Sequence, residues 1–235
     1  MTATVLITRP KAQSEAFAAA LEAAYGGPVR TVISPLLEIV PLAVSGSFQN
    51  VDHVIFTSVH GVAAAARLGL QKGIAAWCVG TQTANAAADM GFAVHNADGA
   101  NRELVAMIVG TAPKGRMIHV RGKYVAGAIV EHLRSSGIVC DVVVAYEQMA
   151  CPATSAARSL LRGQNSVIVP LFSPRTAKLF AEIADFSAPL HLITMSEAVD
   201  VSNEDAPIAS RKITTNNRRA GMITETLSRY AHFSP

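Results

Sequence analysis

Short runs of apolar, β-branched residues alternate with alanine-rich stretches along almost the whole chain. Strands are predicted at 3–8, 29–33, 53–57, 75–79, 92–94, 116–120, 139–146, 166–170, 190–194 and 210–214. Helices are predicted between most of these strands, for example over 11–24, 123–135, 153–162 and 217–230. Strands that alternate with helices form parallel sheets that are covered on both faces. The pattern therefore predicts an α/β fold.

The composition excludes several classes of protein. Half of the 235 residues are hydrophobic and 16% are charged, which favours an ordered chain with a sizeable core. No apolar run approaches the roughly 18 residues of a membrane span, and the N-terminus lacks the features of a secretory signal. Three widely spaced cysteines are typical of reduced thiols, so we expect a cytoplasmic protein. A net charge of +3 and 6% aromatic residues argue against nucleic-acid binding.

Two stretches share one pattern, a strand that ends in a small polar turn and leads into a helix. They are VIFTSVHGVAAAARLG (54–69) and VIVPLFSPRTAKLFAEI (167–183), and their serines, Ser58 and Ser173, lie 173 − 58 = 115 residues apart. The same offset relates Gly80 to Met195, and Met107-Ile108 to Met222-Ile223; LITRP (6–10) and IHVRG (118–122) are a weaker pair. A constant offset favours duplication over chance similarity between α/β segments. We therefore expect two similar lobes.

Two extended runs, LLEIVPL (36–42) and VVVAYEQM (142–149), interrupt the alternation of strands and helices. We expect them to pair as a two-stranded ladder, so that the chain leaves lobe one, builds lobe two and returns. The predicted domains are a discontinuous lobe one (1–35 and 150–235), the ladder (36–44 and 141–149) and lobe two (45–140).

Small polar turns follow several of the predicted strands, and ligands of parallel sheets bind at the carboxyl ends of the strands. The turns are Thr57-Ser58, Gly80-Thr81, Arg121-Gly122, Ser173-Pro174 and Ser196, and each is predicted to precede a helix. The first amides of a helix can bind a carboxylate, whereas plain capping by a Ser or Thr would stabilise the helix by about 1 kcal/mol. Both interpretations stay open for any one turn. Several such turns on two lobes that face a cleft favour a polyanionic ligand.

Other chemistries find no matching motif. GTAPKGRM (110–117) has Arg116-Met117 where a P-loop needs Lys-Ser/Thr, and it precedes a strand instead of following one. The chain lacks G-x-G-x-x-G and G-x-S-x-G, its seven histidines lack metal-ligand spacing, and Cys140 and Cys151 form no redox motif. We therefore expect no metal and no cofactor.

With these residues in order, the chain resembles the uroporphyrinogen-III synthase family. The resemblance lies in VLITRP, SPLLEIVPL, VIFTSVHGV, CVGTQTANAA, DGANRELVAMI, VRGKYVAGAIVEHLRSSGIVCDVVVAYEQ and LFSPRTAKLF, which cover nearly the full length. The resemblance implies an α/β fold with two flavodoxin-like parallel-sheet lobes joined by a two-stranded β-ladder, with lobe one discontinuous. It also implies a cofactor-independent lyase that cyclises hydroxymethylbilane, a linear tetrapyrrole octacarboxylate, to uroporphyrinogen III. The reaction loses water and inverts the terminal pyrrole ring. The expected protein is a monomer that contacts neither nucleic acid nor membrane and has a transient contact with the enzyme that makes hydroxymethylbilane.

The resemblance assigns roles to individual residues. Tyr146 matches the tyrosine of the returning ladder strand, and its phenol would donate a hydrogen bond to the departing hydroxyl. The implied substrate-binding residues are Thr57, Ser58, Val59, Gly80, Thr81, Thr83, Arg121, Gly122, Ser173 and Ser196, with Arg9 a weaker candidate. The alternatives are ordinary ones: a packed strand tyrosine, helix caps and exposed arginines.

The chain departs from the family pattern after the strand at 190–194. Met195 and Ala198 stand where many members carry a Gly-x-Thr-type turn, and the segment 199–210 interrupts the expected helix. Met195 lacks the close backbone approach that glycine permits, so this part of the lobe-one pocket is expected to differ. A two-lobed protein that binds or senses anions or tetrapyrroles without catalysis is the alternative function.

Overall fold

The computed structural model describes residues 3–124, 127–183, 186–199, 206–215 and 219–233. The strands are β1 (Thr4–Ile7), β2 (Thr31–Ile33), β3 (Leu37–Pro41), β4 (His53–Phe56), β5 (Ala75–Cys78), β6 (Ala93–Asn96), β7 (Met117–Gly122), β8 (Cys140–Ala150), β9 (Val167–Leu171), β10 (Leu190–Thr194) and β11 (Ile208–Ile213). The helices are α1 (Lys11–Tyr25), α2 (Val59–Ala65), α3 (Thr81–Asp89), α4 (Asn101–Thr111), α5 (Ile129–Ser135), α6 (Ser155–Leu161), α7 (Pro174–Ala181) and α8 (Arg219–Ala231). Within these residues, no helix has the length and apolar character needed to cross a membrane.

The chain divides into two compact units. Unit 1 comprises the residues up to Glu38 and those from Met149 onward, and unit 2 comprises Ile39–Gln148. Each unit is built around its own parallel sheet, as the alternation of strands and helices predicts.

Unit 1 contains a five-stranded sheet with the strand order β11-β10-β9-β1-β2, in which every neighbouring pair is parallel. The three central strands are buried along their whole length because helices cover both faces of the sheet. One face packs a core around Leu6 and Phe180, and the other packs a core around Phe17 and Leu21.

Unit 2 contains a six-stranded sheet with the order β3-β8-β7-β4-β5-β6. Strands β4 to β8 pair in parallel, with cores around Phe56 on one face and Trp77 on the other. Strand β3 pairs with the second half of β8: the Leu42 N–H donates to the Ala145 carbonyl, and the Cys151 N–H to the Leu36 carbonyl. Residue numbers rise on one strand as they fall on the other, so this pair is antiparallel. The predicted ladder is therefore an extension of the unit 2 sheet.

The two sheets repeat one topology. The order β11-β10-β9-β1-β2 in unit 1 matches β6-β5-β4-β7-β8 in unit 2, strand for strand. The pair β1–β2 opens the chain, whereas its counterpart β7–β8 closes unit 2, so the two units are circular permutations of each other. Counted from the first strand of that pair, each unit has the flavodoxin-like order 2-1-3-4-5.

Three predicted elements are wrong in detail. The helix predicted over 123–135 begins only at Ile129, after Gly127 adopts φ +91°, which a helix cannot contain. The strand predicted at 29–33 is confined to Thr31–Ile33. Ser196 is not followed directly by a helix: residues 196–199 form a turn closed by a hydrogen bond from the Val199 N–H to the Ser196 carbonyl, 3.0 Å. Most of the interrupting segment, 200–205, lies outside the described residues.

Candidate functional site

Each sheet has one point at which the strand order reverses direction, and ligands of this topology bind beside the carboxyl ends of the strands there. In unit 2 this switch point lies between β4 and β7, and in unit 1 it lies between β9 and β1. Residues that directly follow these four strands are therefore the first candidates for a site in each unit.

In unit 2 the turn after β4 is shaped by Ser58. Its backbone is extended, with φ −158° and ψ 147°, and its hydroxyl accepts a hydrogen bond from the His60 N–H at 3.1 Å. Thr57, Ser58 and Val59 are all half-buried. Ser58 thus caps α2, as one of the two sequence interpretations predicted, and it does so at the switch point of the sheet.

Tyr146 on β8 contacts this turn. Its side chain is 5% exposed, and the centroid of its ring lies 5.8 Å from that of His60. Burial raises the pKa of the phenol, while hydrogen bonds with the Ser58 side chain and the Gly122 backbone act in the opposite direction. The phenol is therefore protonated at neutral pH and is able to donate a hydrogen bond.

Arg121 and Gly122 were predicted to form a turn, and this is wrong, because they are the last two residues of β7. Gly122 is buried against Tyr146: a Cβ at this position would lie 2.6 Å from the ring atom Cε2. Arg121 is half-buried, and its Nη1 donates to the Gly122 carbonyl at 3.3 Å. The next helix, α5, begins seven residues further along the chain at Ile129, so this strand end contributes side chains and not a helix N-terminus.

The turn between β5 and α3 carries three of the predicted residues. Gly80 is the N-cap of α3, and a Cβ there would meet no atom within 4 Å. The Thr81 hydroxyl donates to the Asp98 carboxylate at 2.8 Å and accepts from the Asn96 amide at 3.2 Å, and Thr83 is buried. The start of α3 thus already has a carboxylate, Asp98, which the sequence interpretation missed because Asp98 lies 17 residues away from Thr81.

In unit 1 the corresponding turn follows β9. Ser173 is extended, its hydroxyl accepts from the Thr176 N–H at 3.2 Å, and Pro174 begins α7. Pro at the first helical position is favoured because its ring fixes φ and the missing N–H has no helical acceptor there. Ser173 thereby repeats the geometry of Ser58 in the other unit.

The turn after β10 is occupied by Met195. Its N–H donates to the Leu171 carbonyl, its carbonyl accepts from the Thr214 hydroxyl at 3.1 Å, and its side chain packs against both cores of unit 1. Ser196 is half-buried beside it. Met195 therefore fills space that a glycine would leave open, as the departure from the family pattern led us to expect.

Unit 2 thus brings together Thr57, Ser58, Gly122 and Tyr146, with Arg121 beside them, whereas Ser173 and Ser196 belong to unit 1. Burial raises the pKa of the Cys78 and Cys140 thiols to about 12, which leaves them protonated and unreactive. Among the described residues, His, Cys, Asp and Glu side chains form no group of three that could hold a metal ion.

The fold and the polar groups at its switch points define a class: two-unit α/β proteins with paired flavodoxin-like sheets joined through a β-ladder. The family model of uroporphyrinogen-III synthase HemD matches residues 15–201. The chain belongs to this family, whose members are cyclising hydro-lyases, and the resemblance found in the sequence is confirmed.

Solved structures agree with this fold. The uroporphyrinogen-III synthetase of Helicobacter pylori 26695 is 17% identical over 97% of this chain and 100% of its own, with a TM-score of 0.68. A mutant uroporphyrinogen III synthase of the extremely thermophilic bacterium Thermus thermophilus is 14% identical over 99% of this chain and 100% of its own, with a TM-score of 0.52. A search of curated proteins found no significant match.

Proposed function

We propose that this protein cyclises hydroxymethylbilane to uroporphyrinogen III, with loss of water and inversion of the terminal pyrrole ring. Membership of the uroporphyrinogen-III synthase family carries this proposal. The environment of Tyr146 supports it, since a protonated phenol lies at the switch point of unit 2, hydrogen-bonded to Ser58 and Gly122. No observation favours the alternative of a non-catalytic binding or sensor protein.

In this proposal Tyr146 donates a hydrogen bond to the hydroxyl group that leaves the substrate. The carbon–oxygen bond breaks, the hydroxyl departs as water after taking a proton, and the electron-rich pyrrole nitrogen supplies the electron pair that forms an azafulvene. Attack on this carbon by the substituted position of the terminal ring gives a spiro intermediate, which rearranges and closes. A positioned general acid typically contributes ~100- to 10,000-fold.

Orientation of the substrate is the larger task, since closure without the enzyme gives the uninverted ring. Positioning of reacting groups contributes up to ~7–11 kcal/mol in favourable systems. The hydroxyls and amides at Thr57, Ser58, Val59 and Ser173 are suited to the substrate carboxylates, because they stand at strand ends where helices begin. The Asp98 carboxylate beside Thr81 would repel such a group, so Gly80 and Thr81 are the weaker candidates.

The direct test is incubation of the purified protein with freshly generated hydroxymethylbilane, followed by chromatographic separation of the type I and type III products. We expect type III to dominate, because only an oriented substrate inverts its terminal ring. A product ratio equal to that of the spontaneous reaction would contradict the proposed function.

Tyr146→Phe tests the role of the phenol. The ring keeps its packing against Gly122, so we expect the fold to persist, with a loss of about 1 kcal/mol from the missing hydrogen bond. Turnover should fall by roughly a hundredfold or more because the proton donor is gone. Tyr25→Phe is the matched control, since Tyr25 is exposed on α1 in unit 1. Equal turnover in the two variants would remove the catalytic role of Tyr146.

Other expectations stay predictions: the cytoplasmic location, the monomeric state and the transient contact with the enzyme that supplies hydroxymethylbilane. Co-purification of the two enzymes at low salt and size-exclusion chromatography would examine the contact and the oligomeric state.

A further inference from the structure

A second group of charged side chains lies at the switch point of unit 1. Arg9 follows β1 directly, and its guanidinium carbon lies 4.0 Å from the centroid of the Phe172 ring, which follows β9. Phe172 in turn packs edge-on against Phe17, with 5.0 Å between ring centroids and an interplanar angle of 84°. Stacking on a ring that is itself packed fixes the plane in which the Arg9 donors point.

Arg219, the first residue of α8, brings a second positive charge to the same region. Its Nη2 donates to the Ala16 carbonyl at 2.6 Å, which holds the side chain against α1, and its Nε is buried with no hydrogen-bond partner among the described residues. Burial and, to a smaller extent, the charge of Arg219 lower the pKa of Arg9 to about 10. The two guanidinium groups are therefore close enough to repel each other.

This repulsion is not relieved by a protein carboxylate. The ion pairs within the described residues are Arg102–Glu103, Arg116–Asp141 and Lys123–Glu147, and all three belong to unit 2. A half-buried guanidinium without an anion is costly, because burial removes water without supplying a counter-charge. Two such groups side by side have the composition of an anion site that awaits its ligand.

We propose that Arg9 and Arg219 form a carboxylate-binding site of unit 1, which takes a side-chain carboxylate of the tetrapyrrole; the choice of ligand rests on the proposed function. A guanidinium presents paired N–H donors that match the two oxygens of a carboxylate, and a bound carboxylate would neutralise the repulsion. Ser173, which directly follows Phe172, caps the eight-residue helix α7, whose N-terminal dipole adds attraction for the same charge.

The test measures binding of uroporphyrin III, the stable oxidised form of the expected product, by fluorescence titration. We expect Arg9→Gln and Arg219→Gln each to weaken binding by roughly tenfold to a hundredfold, the usual range for a lost charged hydrogen bond. Arg9→Lys should also weaken binding, because it keeps the charge but loses the planar stacking on Phe172. Arg30→Gln is the matched control, since it removes the same charge at the amino end of β2.

Thermal unfolding separates a ligand site from a structural one. If the arginines bind ligand, Arg9→Gln relieves repulsion and its Tm should equal or exceed that of the wild type. Unchanged affinity in both glutamine variants, or a clear fall in Tm together with lost affinity, would overturn the proposal. The readouts also distinguish it from the proposed function: the isomer ratio tests the reaction, whereas affinity for uroporphyrin III, measured in the absence of turnover, tests this site.

Discussion

His119 on β7 is 1% exposed, and both of its ring nitrogens are buried without a hydrogen-bond partner among the described residues. Burial and, to a smaller extent, the nearby Arg121 charge lower the pKa of His119 to about 4, against an opposing effect of Glu131. Between this value and the ordinary value of 6.5, the unfolded chain binds the proton and the folded chain does not. Folding stability contributed by the neutral ring is therefore complete above pH 6.5 and is lost as the pH falls towards 4.

We expect the wild type to lose about 2 kcal/mol from this source between pH 7 and pH 5, measured by urea unfolding. His119→Leu replaces the ring with an apolar side chain of similar size, so its stability should vary less over the same interval. His132→Gln is the control, because His132 is exposed on α5. An equal loss in wild type and His119→Leu would show that other groups cause the acid sensitivity.

Gly122 shows how one residue can matter through what it lacks. The Tyr146 ring lies where a Cβ would stand, 2.6 Å from Cε2, so any larger residue at the end of β7 would displace the phenol from Ser58. The family resemblance marked Gly122 as substrate-binding, and the structure adds a packing function. A contact between residues 122 and 146 joins neighbouring strands, and local sequence patterns carry no record of it.

At the scale of elements, the approach of α2 to β7 depends on Gly61. A Cβ at Gly61 would lie 2.7 Å from the Val120 carbonyl oxygen, which is backbone and cannot turn aside. Gly61→Ala should therefore push α2 away from the sheet and lower the free energy of unfolding by about 1–3 kcal/mol, despite the better helix propensity of alanine. Because α2 begins at Ser58, the shift should also reduce turnover.

Gly110→Ala is the matched control for this substitution. Gly110 lies within α4, and a Cβ there would meet no atom within 4 Å, so alanine should stabilise the protein by roughly 0.5–1 kcal/mol. Chemical denaturation of the two variants measures both effects. A Gly61→Ala protein as stable as the Gly110→Ala protein would contradict the close packing of α2 on β7.

The sequence predicted most strands because buried parallel strands need uninterrupted apolar runs, as in Val167–Leu171 and Leu190–Thr194. The errors have two physical causes. A helical pattern over 123–135 was outweighed by the backbone of Gly127, and the turn at Met195 is held by hydrogen bonds to Leu171 and Thr214, which are distant in sequence. The polar turns were placed at strand ends correctly because capping is a local signal. Asp98 and the Arg9–Arg219 pair were missed because they depend on tertiary contacts.

At the scale of the whole molecule, the repeated strand order gives the 115-residue offset its physical meaning. The offset relates β4 to β9, β5 to β10 and β6 to β11, which follow one another in the same sequence order in both units. It fails for β7 and β1 because the permutation places one after its partners and the other before them. The weaker likeness of LITRP and IHVRG marks this displaced pair, and it sets Arg9 and Arg121 at equivalent strand ends.

The permutation predicts that the two units differ in their capacity to fold alone. Fragment 36–150 contains all six strands of the unit 2 sheet, helices α2 to α5 and both cores of that unit. A continuous segment with its own cores satisfies the requirements of an independent domain, so we expect a cooperative urea transition. Fragment 1–38 contains β1 and β2 but lacks β9, the neighbour that completes the centre of the unit 1 sheet, and we expect it to be unfolded. Circular dichroism and urea titration of both fragments measure this difference. A fragment 36–150 without a cooperative transition would show that unit 2 folds only in the presence of the other half of the chain.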